Sequence, residues 1–243
     1  MHTMFTKTLL STVIAAIAGF NAASADNVWV DNPSCDFGVV PPNATVIYRT
    51  WLHNNGEDSL FLRDIKTGCG CLTAGPVQSL VRPGDSIPIN LAWQTRALEG
   101  PLTRSAYLYL QGSPDPLKIE LTGHPRLTTD STSGVGVSTA VLKFDSSGAS
   151  YRSLRLRNVS EAEFAVSLVF APDSVLQVEF PQTLPPKGEG VAVVTLDQAG
   201  KAMSFEDSFT LEFKSQAGYT YRLTIPVVNG DFSYRPVFSK TGL

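Results

Sequence analysis

The sequence contains few of the residues from which catalytic and metal sites are usually built. Its 243 residues include 3 cysteines and 3 histidines, and only His53 and His124 follow the N-terminal segment. Neither histidine has metal-motif spacing to the cysteines, and no nucleophile-elbow or phosphate-binding glycine motif is present. We therefore expect that the protein is not an enzyme and that it needs no cofactor.

Strong charge and long apolar segments are also absent. The formal net charge is −3, and charged residues make up 17% of the chain. This composition gives no electrostatic reason to expect nucleic acid or an anionic membrane as a partner. After the N-terminal segment, no apolar run approaches the roughly 18 residues of a membrane-spanning helix. We expect no nucleic acid partner and no membrane span in the mature chain.

The N-terminal segment has the pattern of a secretory signal peptide. Residues 1–25 contain one lysine, no acidic residue, an apolar run over residues 9–20 and the small-residue sequence ASA at 23–25. These are the three parts of a cleavable signal, and the apolar run is too short to span a bilayer comfortably. The sequence therefore predicts a signal peptide at 1–25 and export of the rest to the periplasm or the outside of the cell.

Short strand patterns separated by turn residues dominate the remaining sequence. Helical periodicity is absent there, and proline, glycine, asparagine or aspartate stands between the strand-like segments. In the first half we predict strands at 36–40, 46–54, 60–66, 77–81, 86–93, 103–111 and 117–123. This number of short strands is typical of an immunoglobulin-like β-sandwich.

The second half repeats the first without its cysteine pair. Segments 51–60 and 80–91 resemble segments 154–164 and 184–196, and Leu52, Asn54 and Leu80 have identical residues 104 positions later. Each copy is long enough to bury its own core. We predict an all-β fold of two tandem immunoglobulin-like β-sandwich domains, at 26–125 and 138–230. A Ser, Thr and Gly-rich linker at 126–137 would join them, and 231–243 would be a C-terminal tail.

The first copy carries several motifs in a fixed order: DFG at 36–38, NNG at 54–56, CGC at 69–71, PGD at 83–85 and SPD at 113–115. In this combination residues 35–123 resemble a bacterial secreted domain-of-unknown-function family, number 1573, which is related to the ASH and Hydin immunoglobulin-like modules. The second copy resembles the same fold but has Pro172 to Val175 in place of the cysteine motif. The resemblance implies an immunoglobulin-like fold and an envelope location, and it implies no particular activity.

Cys69 and Cys71 are the candidate residues for thiol chemistry, and three interpretations stay open. They could pack as small apolar side chains at a turn held by Gly68 and Gly70. They could form a disulfide, with each other or with Cys35, although a bond within the pair closes a very small ring and needs unusual geometry at Gly70. They could also bind a soft metal or act in redox chemistry. Of the three cysteines, Cys35 is the one that we expect to stay unpaired.

The second predicted strand offers a candidate interface. If Thr50 and Leu52 face the core, then Arg49, Trp51 and His53 point outward together. An exposed tryptophan beside an arginine is the composition of a binding hot spot. Either another molecule binds to this face or the second domain covers it, because tandem domains often pack on one another.

These observations favour an exported, non-enzymatic protein of the bacterial cell envelope. It would bind a protein or an envelope polymer, or serve as a structural spacer. The alternative is a periplasmic thiol-redox or soft-metal-binding protein that uses Cys69 and Cys71. Replacement of both cysteines by serine separates the two, since only the alternative requires the thiols for function.

Overall fold

The structure, a computed structural model, describes residues 27–76, 79–96, 100–126, 134–144 and 148–230. The first half of this part of the chain consists of short strands joined by turns. These strands are β1 (Val28–Val30), β2 (Ser34–Val40), β3 (Thr45–Asn54), β4 (Leu60–Thr67), β5 (Leu72–Pro76), β6 (Leu80–Val81), β7 (Ser86–Gln94), β8 (Leu102–Leu110) and β9 (Leu117–Pro125).

The second half contains nine more strands and one short helix. They are β10 (Val135–Val137), β11 (Leu142–Phe144), β12 (Tyr151–Asn158), β13 (Phe164–Phe170), β14 (Leu176–Glu179), β15 (Thr183–Leu184), β16 (Glu189–Leu196), α1 (Gln198–Ala202), β17 (Phe205–Ser215) and β18 (Thr220–Asn229). The helix corrects the expectation that this region has none. Asp197 caps it by accepting a 2.6 Å hydrogen bond from the Gly200 amide, and five residues are too few to show helical periodicity.

In the first lobe, residues 28–125, two sheets pack face to face. One sheet has the strand order β1-β3-β7-β5, and the other has the order β2-β9-β8-β4-β6. Inward-facing residues of both sheets form one buried cluster, in which Trp93 of β7 is the largest fully buried side chain. Burial of a large apolar side chain stabilises a fold by about 2–3 kcal/mol. Strand β7 lies inside its sheet, between β3 and β5.

The second lobe, residues 135–229, repeats the arrangement around its own buried cluster. Its sheet β10-β12-β16-β14 corresponds to β1-β3-β7-β5, and β15-β13-β17-β18 corresponds to β6-β4-β8-β9. Strand β11 pairs in parallel with β18, as β2 pairs in parallel with β9. The predicted all-β, immunoglobulin-like fold is confirmed, and the repeat in the sequence corresponds to a repeat in topology.

The two lobes share one continuous sheet. Strand β2 lies beside β18 as well as β9, so a ten-stranded sheet runs from one lobe into the other. Gly38 of the DFG motif makes this approach possible, because it has φ +63° and a Cβ there would lie 2.3 Å from the Arg222 carbonyl oxygen of β18. Only glycine combines that backbone conformation with such a close contact.

Apolar side chains also cross between the lobes. Phe170 of β13 packs edge-on against Phe37 and Tyr48 of the first lobe, with ring centroids 6.2 Å and 5.5 Å apart. In the opposite direction, Val39 belongs to the buried cluster of the second lobe. Aromatic contacts of this kind add to the free energy of apolar burial, so the cores of the two lobes support one another.

Two segments differ from the sequence-based expectation. The strand expected at 77–81 is only the two-residue β6, while β5 forms earlier, at Leu72–Pro76. Residues 135–137 of the expected linker form β10, because Val135 and Val137 are buried in the second cluster. The predicted signal peptide, most of the linker and the C-terminal tail lie outside the described residues. Within the described residues, no helix has the length and apolar character needed to cross a bilayer.

Candidate functional site

Strand β3 places its side chains alternately inside and outside the first lobe. Thr50 and Leu52 are buried, whereas Arg49, Trp51 and His53 lie on the opposite face of the sheet. This is the alternation of a strand with one side against a core. The structure therefore brings the three outward candidates together on one sheet face.

Trp29 of β1, which no sequence motif indicates, completes this face. It lies opposite His53 in the strand register, and the two rings stack with centroids 4.8 Å apart and planes 12° apart. The Asp31 carboxylate lies close to the imidazole, with Oδ2 3.0 Å from His53 Nε2. Trp51 keeps 45% of its surface exposed and Trp29 keeps 37%. We call Trp29, Trp51 and His53 the aromatic face.

Arg49 has a different environment, because it contacts the second lobe. Its Nη1 donates to Asp207 Oδ1 at 2.8 Å and its Nη2 donates to Asp207 Oδ2 at 3.2 Å. The Asp207 side chain is only 1% exposed, and its oxygens also accept from the Ser208 and Asp173 amides. The second lobe thus engages Arg49 in a bidentate ion pair, while Trp51 stays open to solvent.

Cys69 and Cys71 form a disulfide at the turn between β4 and β5, where the chain crosses from one sheet to the other. Their Cα atoms are 5.2 Å apart. Cys69 is partly exposed, whereas Cys71 is 7% exposed and belongs to the first buried cluster. Cys69 is therefore the more exposed residue of the bridge, although it also packs against the first buried cluster.

Cationic side chains lie on both sides of this disulfide. Arg104 of β8 donates from Nε to Cys71 Sγ at 3.1 Å, and its guanidinium stacks over the Trp93 ring at 5.8 Å. Arg96 donates from Nη2 to the Gly70 carbonyl oxygen at 3.3 Å. No sequence motif predicts that Arg104 contacts the disulfide, because Arg104 lies on β8, 33 positions after Cys71.

Cys35 is the free cysteine of the chain and is fully buried in β2. Burial raises the pKa of its thiol strongly, and the neighbouring Asp36 carboxylate raises it further. A thiol that resists ionisation is a poor nucleophile and a poor metal ligand. Within the described ranges, no group of three or more His, Cys, Asp or Glu side chains could hold a metal ion.

A cleft of about 530 Å³ opens between the lobes. Its charged lining residues are Arg96 from the first lobe and Lys143 and Glu206 from the second. Burial raises the pKa of Glu206, and a hydrogen bond with the Thr45 hydroxyl acts less strongly in the opposite direction. The cleft is therefore a polar seam with charges of both signs.

Comparison with solved structures gives matches of low sequence identity. A protein of unknown function from Porphyromonas gingivalis W83 is 14% identical, with a TM-score of 0.31 over 83% of this chain and 99% of that one. An ASH/PapD-like domain of human CEP192 is 12% identical, with a TM-score of 0.36 over 50% of this chain and 98% of the domain. The VesB protease of Vibrio cholerae is 9% identical, with a TM-score of 0.35. The match covers 41% of this chain and only 32% of the protease.

The sequence comparisons are more specific for the first lobe. No curated protein matches the chain. Residues 28–124 match the family described as Protein of unknown function (DUF1573), so the resemblance noted in the sequence is confirmed for that part of the chain.

Proposed function

We propose that this protein is an exported, non-enzymatic binding module of the bacterial envelope and that it binds a protein partner through the aromatic face. An immunoglobulin-like all-β fold is consistent with a binding or structural module. The observation that carries the proposal is that Trp29 and Trp51 remain exposed on the same sheet face, on either side of His53 in the strand register, after the lobes have packed together.

The composition of the aromatic face suits a protein surface. Tryptophan buries a large area on binding at a small cost in side-chain entropy, and it is enriched at the centres of interfaces. Pro88 lies opposite Trp51 on β7, and the Trp51 side chain remains 45% exposed. Charged groups lie at the rim, where Asp31 contacts His53 and Arg49 contacts Asp207. An apolar centre with a polar rim is the usual anatomy of a protein interface.

The face is also held rigidly. Three strands that pair along their length carry it, and the Arg49–Asp207 ion pair fixes its border to the second lobe. A surface that is already ordered loses little conformational entropy when a partner binds. Export is supported by the signal-like N-terminal sequence and by the disulfide, since disulfides persist in oxidising compartments.

The experiment compares Trp51→Ala and Trp29→Ala with Phe61→Ala, a matched control on β4 in the same lobe. Phe61 is 46% exposed, close to the 45% of Trp51. A photo-crosslinking residue at position 90, near the aromatic face, captures the partner in cells, and the purified partner is then titrated with each variant. We expect each tryptophan variant to weaken binding by about ten- to thirty-fold, a typical loss for a central interface tryptophan.

The same titration separates the proposal from its alternatives. Purified envelope polysaccharide is included as a second ligand, because exposed tryptophans also suit a polymer. Binding of the polysaccharide alone would replace the protein partner in the proposal. Equal affinities of Trp51→Ala, Trp29→Ala and Phe61→Ala for the captured partner would reject the aromatic face as the binding site.

A further inference from the structure

We propose that the Cys69–Cys71 disulfide exchanges with an external thiol in a fixed direction, with attack at Cys69 and departure of Cys71 as a thiolate held by Arg104. This chemistry does not depend on the binding function of the aromatic face. It gives the cysteine pair a role as a disulfide donor.

Accessibility selects the sulfur that is attacked. An incoming thiolate must approach one sulfur along the line of the sulfur–sulfur bond, from the side away from the other sulfur. Cys69 packs against the first buried cluster but stays partly exposed, whereas Cys71 is a member of that cluster and is only 7% exposed. Cys69 is therefore the more accessible residue of the pair, and attack occurs there.

Electrostatics favours the same direction. The Arg104 Nε–H donates to Cys71 Sγ at 3.1 Å, and a guanidinium at this distance stabilises a thiolate. Among the residues that the structure describes, no carboxylate forms an ion pair with Arg104. Cys69 Sγ accepts a hydrogen bond from the neutral amide of Cys71, at 3.3 Å. Burial disfavours a thiolate on Cys71, as it does on Cys35, so departure of Cys71 requires the Arg104 guanidinium to offset that desolvation cost.

The supporting residues keep Arg104 in place. Its guanidinium stacks on the fully buried Trp93 ring, and its Nη1 donates to the Thr103 carbonyl at 2.8 Å. Arg104 and Trp93 belong to β8 and β7, in the two different sheets that the Cys69–Cys71 turn connects. The cation is thus held by both sheets of the sandwich, next to the sulfur that would carry the charge.

The exchange balances in two steps. A thiolate R–S⁻ forms a bond to Cys69 Sγ, the bond between the two cysteine sulfurs breaks, and its electron pair leaves on Cys71 Sγ. A second thiolate R′–S⁻ then attacks the R sulfur and releases R–S–S–R′ and the Cys69 thiolate. Two external thiols are oxidised, and the protein disulfide is reduced to a dithiol by two electrons.

The first experiment identifies the attacked sulfur in the wild-type full chain. The oxidised protein is exposed briefly to glutathione, quenched and alkylated, and peptide mass spectrometry locates both modifications. In a parallel reaction, an unfolded peptide with a single cysteine replaces glutathione. Comparison of the two reactions shows whether the disulfide reacts with a small-molecule thiol or with a protein thiol. We expect the mixed disulfide on Cys69 and the alkyl group on Cys71, with a preference of at least about ten-fold. A mixed disulfide mainly on Cys71, or no opening of the folded protein, would overturn the proposal.

The second experiment measures the rate of opening in Arg104→Gln, Arg104→Lys and the control Arg157→Gln, which removes an exposed arginine from the second lobe. We expect Arg104→Gln to open about three- to ten-fold more slowly, because its leaving thiolate has lost the cation. Arg104→Lys keeps the charge and should fall between Arg104→Gln and the wild type. Arg157→Gln should match the wild type. Wild-type rates in both Arg104 variants would refute the role of Arg104, whatever the site of attack.

Discussion

At the scale of single residues, two buried asparagines secure equivalent turns in the two lobes. Asn54 Nδ2 donates to the carbonyl oxygens of Asp58 and Val81 at 2.8 Å and 3.0 Å, and Asn54 Oδ1 accepts from the Gly56 amide. Asn158 makes the corresponding bonds 104 residues later, to the carbonyl oxygens of Ala162 and Pro185 and from the Ser160 amide. One amide side chain thus satisfies several backbone groups that would otherwise lack partners.

We predict that Asn54→Ala lowers the free energy of unfolding by about 1–3 kcal/mol, because it leaves the buried Val81 carbonyl without this donor. Urea unfolding measures the change. Asn55→Ala, at the neighbouring exposed position, serves as the control and should stay within about 0.5 kcal/mol of the wild type. If Asn55→Ala lowers the free energy of unfolding as much as Asn54→Ala does, the side-chain hydrogen bonds of Asn54 do not account for the loss of stability.

At the scale of elements, the sequence predicts a strand well when one face of the strand is exposed to solvent and the other is buried. Strand β3 is such a case, since the alternation around Thr50 and Leu52 is visible in the sequence and is observed in the structure. Strand β5 is different, because its residues include Gly75 and Pro76, which ordinarily indicate a turn. Strand β5 forms because it pairs with β7, in a register that begins at Leu72↔Trp93. A local sequence pattern does not show which strand will be the partner.

The candidate sites were predictable in part for the same reason. The outward direction of Trp51 follows from period-two alternation within one strand. The contribution of Trp29 depends on the pairing of a three-residue strand, and the contact of Arg104 with Cys71 depends on a strand 33 positions away. The state of Cys69 and Cys71 was open because the conformation of the turn, and not the spacing, decides whether the sulfurs meet.

The junction between β2 and β18 gives a prediction at this scale. Gly38→Ala should lower the free energy of unfolding by about 2–4 kcal/mol, because alanine is strained at positive φ and its Cβ would meet the Arg222 backbone. Gly84→Ala is the matched control, since Gly84 also has positive φ but has nothing within 4 Å of the added Cβ. It should cost only about 1–2 kcal/mol. Equal losses in the two variants would mean that the close approach of the lobes adds no stability.

At the scale of the whole molecule, the lobes meet across a cleft that contains a partly buried carboxyl group. Glu206 lines the cleft between them, and its Oε2 is buried without a hydrogen-bond partner among the described residues. Burial raises the pKa of this carboxyl in the folded state. Its contribution to stability is therefore fully present below the ordinary carboxyl pKa and is lost as the pH rises through the raised value.

We predict that Glu206→Gln is as stable as the wild type at pH values below the ordinary carboxyl pKa, near 4.5, and more stable at pH 7. The reason is that glutamine carries no charge, so folding no longer includes the free-energy cost of removing a carboxylate from water. Thermal unfolding across this pH range measures the difference, with the exposed Glu57→Gln as control. A Glu206→Gln protein that is less stable than the wild type at pH 7 would show that the carboxylate is favourably paired in the seam.

The shared sheet has a consequence for the first lobe taken alone. Within residues 28–125, β2 is an edge strand, and in the intact protein β18 covers it. A fragment that ends at residue 125 would present an open strand edge and would leave Phe37 and Tyr48 without the ring of Phe170. Open edges beside apolar surface are the starting points of aggregation. We therefore expect the segment that matches the family, when it is expressed alone, to associate with copies of itself more readily than the chain that also contains the second lobe.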